Sequence, residues 1–396
     1  MKHLILFILV FLFSAAIPIS QAASDGADDA DIDPLPELIR ITHFQEDAAR
    51  GIDSLYNSKP DAAREVIGEW IERYPDHPVW LLWDAMEQWW VVLNDLHDTS
   101  NDDLLFEKFE KADKAAEQLL EIYPEHADGH IVRAVANGYI ARHNANRRRW
   151  VRSVRVGRTA HQAHTRLAEV LPELADNKLA EGLKLYYSAY LPENYRSVRA
   201  VSWLLPDGDR EKGLELLEET SRDAIFARPE ASYFLGFILL NYENDQEKAL
   251  TLFRTLSERY PDNAYYRRLL ARTLFELRLY RELIVEVDSS LEYWEQNGLS
   301  NGDVLKEELH YWKGKSLMRS GRLSEAHEHL VESYRIGREL PNRPERTFQA
   351  LSGFYAGLTA ERLGDISAAR NFYRGVTQLD NEPEIRREAR NRLDAL

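Results

Sequence analysis

Between Glu230 and Tyr280 apolar residues recur three or four places apart, the spacing of a helix with one buried face. Ala249-Leu250-Thr251-Leu252-Phe253 leads into Glu258-Arg259-Tyr260-Pro261-Asp262-Asn263, and Leu269-Leu270-Ala271 follows. An alanine twelve residues ahead of a proline, with helical periodicity between, predicts a helix that stops sharply and a second that starts beyond it. The same spacing joins Ala63 to Pro75, Ala112 to Pro124 and Ala160 to Pro172. Tyr74-Pro75-Asp76-His77 and Tyr123-Pro124-Glu125-His126 repeat the exit too, each setting an acid at the positive end of the next helix. The small alanine marks where two helices approach closely.

Gly314, Leu317, Gly321, Leu323, Ala326 and Leu330 lie at the same offsets as Gly357, Ala360, Gly364, Ile366, Ala369 and Tyr373, 43 residues on. The first glycine permits close helix contact and the second ends the first helix of a pair. Glycine at relative positions 8 and 15, alanine at 20, an aromatic or leucine at 24 and proline at 32 together resemble the tetratricopeptide repeat family. The resemblance runs from about Pro60 to the C-terminus, with Gly236 one place early and leucine for alanine in the Leu283 repeat. It implies an all-α fold, an α-solenoid (tetratricopeptide superhelix) of stacked antiparallel helix pairs with about sixteen helices. Paired units are expected at 61–97, 102–143, 150–190, 209–242, 245–278, 280–320 and 322–363, with an Arg- and Glu-rich capping helix at 383–396. Tyr190 to Arg210 breaks the period and reads as a crossover insertion, 191–208, between an N-terminal sub-array (38–190) and a C-terminal one (209–382). The stretch from Val198 to Leu205 reads as a lid over the helices, or as a contact with a membrane surface through Trp203. With Gly182 and Tyr186-Tyr187, this region is also similar to a bacterial periplasmic group distantly related to the eukaryotic tetratricopeptide-39 proteins, a likeness that carries no chemistry.

Composition narrows the function. Hydrophobic residues make up 44% of the 396, enough for a continuous packed core, and the formal net charge of −16 argues against a general nucleic-acid or anionic-membrane binder. With no cysteine, disulfides, thiolate metal sites and cysteine nucleophiles are excluded. Lys2-His3, the apolar run Leu4 to Phe13 and Ser20-Gln21-Ala22 read as a signal peptide over 1–22, which implies a periplasmic protein. That run is shorter than the ~20 residues a membrane span needs. Residues 23–37, with five aspartates and two prolines, read as a disordered acidic lead-in.

The family resemblance implies a concave groove lined by set positions of each first helix. On this chain these include Tyr265, Arg268 and Arg272, then Tyr311, Lys315 and Arg319. Cations beside aromatics would hold an acidic protein or peptide segment. Alternatively they pair with Glu276, Glu308 and Glu361 on a solvated face. Trp89, Trp90, Tyr139, Tyr186 and Tyr187 form either an aromatic groove for an apolar ligand or helix-pair core. Arg148, Arg152 and Arg155 would share a helix face as a basic patch for phosphate or a lipid headgroup, or pair with nearby carboxylates. His126 with His130, and His161 with His164, lack a third ligand at metal-site spacing. No nucleophile elbow, phosphate loop or dinucleotide fingerprint occurs, so no enzyme activity, cofactor or metal is expected. The sequence points to a non-catalytic periplasmic scaffold binding a protein or peptide in cell-envelope assembly. The alternative is a small-molecule or lipid binder, transporter-associated in role, and an enclosed apolar cavity of several hundred Å³ would favour it.

Overall fold

The computed structural model describes residues 35–199, 207–297, 303–341 and 346–396. The expected signal peptide, most of the acidic lead-in, and 200–206 of the expected crossover, with most of its lid, lie outside the described residues. Among the described residues every regular element is helical. A 3-10 turn, Leu38–Arg40, precedes α1 (Thr42–Tyr56), α2 (Pro60–Arg73), α3 (Val79–Asn94), α4 (Asp102–Ile122), α5 (Ala127–Asn146) and α6 (Trp150–Val170). Then come α7 (Asn177–Asn194), the short α8 (Arg196–Arg199), α9 (Arg210–Asp223), α10 (Arg228–Asn241), α11 (Gln246–Arg259) and α12 (Ala264–Glu276). The chain ends with α13 (Tyr280–Asn297), α14 (Asp303–Arg319), α15 (Leu323–Glu339), α16 (Thr347–Arg362), α17 (Ile366–Thr377) and α18 (Pro383–Ala395). Pro75, Pro124, Pro172 and Pro261 all fall between helices, as their missing N–H requires.

The helices form two compact units, each an α-solenoid stack of antiparallel pairs. One comprises the chain up to Trp89 with Asp102–Leu235, the other Trp90–Asn101 with Gly236–Leu396. Within them helices pack on their neighbours in sequence, and in the second unit α12 also meets α14, α14 meets α16 and α16 meets α18.

A left-handed residue sets the register of the hairpins. Ser58, Arg148, Asn244, Arg278, Gly321 and Gly364 all have positive φ, between 53° and 87°. Each stands five places before the residue at the helix crossing: Ala63, Ser153, Ala249, Leu283, Ala326 and Ala369. The hairpins are therefore α1/α2, α5/α6, α10/α11, α12/α13, α14/α15 and α16/α17. The units expected from 61–97 onward instead join the second helix of one hairpin to the first helix of the next.

Within a hairpin, a glycine on the first helix receives a large side chain from the second. A Cβ on Gly236 would lie 2.9 Å from the Phe253 ring, one on Gly314 2.7 Å from Leu330, and one on Gly357 2.6 Å from the Tyr373 ring. Gly182 does the same for Leu217 at 3.1 Å, and Gly51 for Ile67 at 3.3 Å, with the Trp83 ring of α3 nearer still at 2.6 Å. The Gly182–Leu217 contact packs α9 directly on α7. Asp209 N–H donates to the Leu185 carbonyl at 3.1 Å, returning the chain onto α7.

Two glycine substitutions test this packing by opposite signs. Gly357→Ala should lower stability by about 1–3 kcal/mol, since the buried Tyr373 ring must shift. Gly68→Ala, in α2 with no heavy atom within 4 Å of its Cβ, should gain up to ~1 kcal/mol from helix propensity. Thermal unfolding followed by circular dichroism reads both.

Candidate functional site

In the first unit α1, α3, α5, α6, α7 and α10 surround a cavity of about 330 Å³. Small-molecule pockets run from ~300 to 1,000 Å³, so the space is of ligand size. Phe44, Ile52, Leu55, Trp83, Met86, Ile131, Val135, Leu167, Leu183 and Phe234 make the wall apolar. Small residues leave the room: Ala48, Ala134, Gly138, Ala160 and Ala180. Ala134, Gly138 and Arg142 stand four apart on one face of α5, and a Cβ on Gly138 would meet no heavy atom within 4 Å.

The wall's polar groups are engaged within the fold. Arg142 Nη1 donates to Glu230 Oε1 at 2.5 Å, with side-chain exposures of 8% and 14%. Its guanidinium sits 4.9 Å from the Trp89 ring, 5.2 Å from Phe234, 5.6 Å from Tyr233 and 5.9 Å from Tyr139. Such an aromatic surround favours a cation through the ring quadrupoles. Tyr56 donates its hydroxyl to Glu230 Oε2 at 3.3 Å. Burial, with the Glu230 charge adding to it, pushes the Tyr139 phenol well above its ordinary pKa and keeps it neutral.

The other wall carboxylates close loops. Asp128 accepts the N–H groups of Leu38 at 2.5 Å and Ile39 at 3.1 Å, and His77 Nε2 stands 3.3 Å away. Asp176 accepts three successive N–H groups ahead of α10, from Ile225, Phe226 and Ala227 at 3.1, 2.9 and 2.6 Å. His164 meets the Asn177 carbonyl at 3.1 Å, and burial lowers its pKa, so the ring is neutral at pH 7.

Of the two readings of Trp89, Trp90, Tyr186 and Tyr187, aromatic groove or helix-pair core, their burial fits the core. Trp89 is 1% exposed and edge-on to Tyr139 at 5.0 Å, while Trp90 is edge-on to Tyr266 at 6.0 Å in the second unit. Tyr186 stacks on Tyr190 at 5.5 Å and meets Tyr187 edge-on at 4.9 Å, where α9 crosses α7 at Gly213. Of the aromatics proposed for a groove, Tyr139 does line the cavity.

The convergent cations of the second unit are likewise tied inward. Arg268 pairs with Glu308 at 3.3 Å and lies 4.1 Å over the buried Tyr265 ring. Arg272 donates to Asn241 Oδ1 at 2.8 Å. Lys315 is buried, with its amine 3.1 Å over the Tyr355 ring; burial first, then the charge of Arg319, lower its pKa to about 7. Tyr311 is core, and Arg319 is exposed. Of the expected basic patch, Arg152 and Arg155 lie three apart on α6, while Arg148 precedes that helix. Arg148 occupies the left-handed turn before α6, Arg152 donates to Glu110 at 2.7 Å, and Arg155 is exposed. The paired histidines serve the backbone: His126 and His130 meet the carbonyls of Leu35 and Pro124 at 3.1 and 2.9 Å.

Arg142, Glu230, Gly138 and Ala134 were not singled out by sequence. The visible signal was on α5, where two small residues and a lone arginine follow one another at four-residue spacing among apolar neighbours. Another buried cluster, in the second unit, also escaped. Arg346, 1% exposed, bonds Asp95 and stands 3.6 Å from Glu307. Burial outweighs that pairing and pushes the Glu307 pKa up to about 8.

A family model for the tetratricopeptide repeat matches residues 230–263, which span α10 and α11. Among solved structures, the human IFIT1 dimer with PPP-AAAA shares 12% identity, with 89% of this chain and 72% of that one covered at a TM-score of 0.41. Yeast Tom70 shares 11% over 89% and 88%, at 0.36. PilW, described as a widely conserved type IV pilus biogenesis factor, shares 12% over 71% and 90%, at 0.32. No curated protein matches the chain. Among the described residues no helix is long and apolar enough to cross a membrane, and no group of three or more His, Asp or Glu could hold a metal ion.

The Glu307 carboxyl gives a pH dependence with a defined sign. Below its unfolded pKa of about 4.5 it is protonated in both states; from there to about 8 only the unfolded chain ionises. The contribution of Glu307 to stability should therefore fall as pH rises through that window, by up to ~1.4 kcal/mol per unit. The stability of the native chain relative to Glu307→Gln should decline between pH 5 and 8, a difference that isolates this carboxyl from the buried histidines, measured by urea unfolding of both proteins across that range.

Proposed function

We propose that this protein is a non-catalytic binding protein whose first unit carries an apolar ligand in the cavity beneath Gly138. The cavity itself carries the reading. It is of ligand size, its wall is almost wholly apolar, and Ala134 and Gly138 hold open a space that larger residues would fill. A ligand entering it gains roughly 25 cal/mol for each Å² of apolar surface removed from water. The ionisable groups on the wall act as structural pairs and loop clamps, an arrangement suited to holding a molecule rather than transforming one. The leader-like segment 1–22 supports a periplasmic site of action.

A protein-binding role in cell-envelope assembly is the second reading. It is supported by the tetratricopeptide match at 230–263, since such repeats present helix faces to partners, and by the exposed Arg319 as a contact for an acidic segment.

Gly138→Leu separates the two. The side chain enters open space on a helix, so the melting temperature should hold or rise, while uptake of the neutral fluorophore N-phenyl-1-naphthylamine should weaken more than tenfold. Equal uptake by the variant would remove the cavity as the site. On the second reading, a partner captured from envelope extract is kept by Gly138→Leu and lost by Arg319→Glu.

A further inference from the structure

We infer that the ligand of this cavity is electrically neutral, a molecule such as a long-chain ester or alcohol and not a fatty-acid anion or an amphiphilic amine. The inference rests on the cavity being the binding site and concerns which chemistry it admits.

Charge selection follows from how the wall is already bonded. Arg142 is the wall residue that could neutralise an acid, and its guanidinium is taken by Glu230 along one edge and surrounded by four aromatic rings. An entering carboxylate would have to displace Glu230, which is itself held by Tyr56, and leave that carboxylate buried without its counter-ion. Nor does His164 supply a positive charge, because its ring is engaged by the Asn177 carbonyl and stays neutral at pH 7.

A cation fares no better. Asp128 and Asp176 are the remaining acids of the wall, and five backbone N–H groups already occupy their oxygens. Those contacts fix the 3-10 turn and the start of α10, so recruiting either acid would undo the wall that makes the cavity. Any ion brought in would lose its hydration and gain no free partner, a penalty that excludes charge far more strongly than it excludes length or shape. A neutral ester or hydroxyl brings no such debt.

Competition with an isosteric series tests this on the mature chain loaded with N-phenyl-1-naphthylamine at pH 8. Methyl decanoate should displace the probe at a concentration at least tenfold below that needed for decanoate or decylammonium. Decanoate displacing as well as the ester, with the advantage lost in Arg142→Met, would overturn the neutral assignment and make Arg142 an anion site. Decylammonium matching the ester would overturn it in favour of the aspartates. If no member displaces the probe, or all displace it equally from Gly138→Leu, the cavity reading falls and the charge assignment with it.

Discussion

One packing relation recurs through the molecule: a large side chain of a second helix seated against the bare backbone of a glycine on the first. Gly51 with Ile67, Gly182 with Leu217, Gly236 with Phe253, Gly314 with Leu330 and Gly357 with Tyr373 are versions of it. The contact brings two helices closer than ordinary side chains allow, and the left-handed turn between them fixes which residue enters the gap. No hairpin buries both of its faces by itself, so each depends on the next for its remaining apolar surface. Where glycine is absent from the turn, Ser58, Arg148, Asn244 and Arg278 take the same conformation at some strain. That four residues of other types accept it shows how strongly the helix–helix contact dictates the connection.

The cavity arises where this relation is relaxed. In the α5/α6 hairpin the crossing is held by a polar contact, Ser153 Oγ donating to the Ala141 carbonyl at 2.7 Å, and the adjoining face of α5 presents Ala134 and Gly138. With only small side chains at those two positions, α1, α3, α7 and α10 close round a space instead of a filled core. Apolar wall left uncovered forgoes the stability its burial would bring, about 25 cal/mol per Å². Its persistence here is the physical ground for assigning it a purpose.

Buried charge completes the first unit. Asp128 and Asp176 satisfy backbone donors that would otherwise be stranded at helix starts, and Arg142 with Glu230 ties α5 to α10 across 88 residues of sequence. Isolated, either ion would be expensive to bury; paired and ringed by aromatics, the couple fixes one arrangement of the two helices. In the second unit Glu307 is the contrary case, a carboxyl that burial keeps protonated because Arg346 is shared with Asp95.

What the chain determined alone was local and repeated. Helix ends at Pro75, Pro124, Pro172 and Pro261, the glycine and alanine spacing, and the helical class all follow from interactions within some forty residues, and repetition made the signal plain. The tertiary structure decided which aromatics are core, why adjacent Trp89 and Trp90 serve different units, and that Arg268 meets Glu308 rather than solvent. It alone placed Arg142 beside Glu230 and opened the cavity at Gly138. Spacing specifies which way a side chain leaves its helix, but what it meets there is set by helices far away in sequence, whose approach is fixed only when the whole stack has packed.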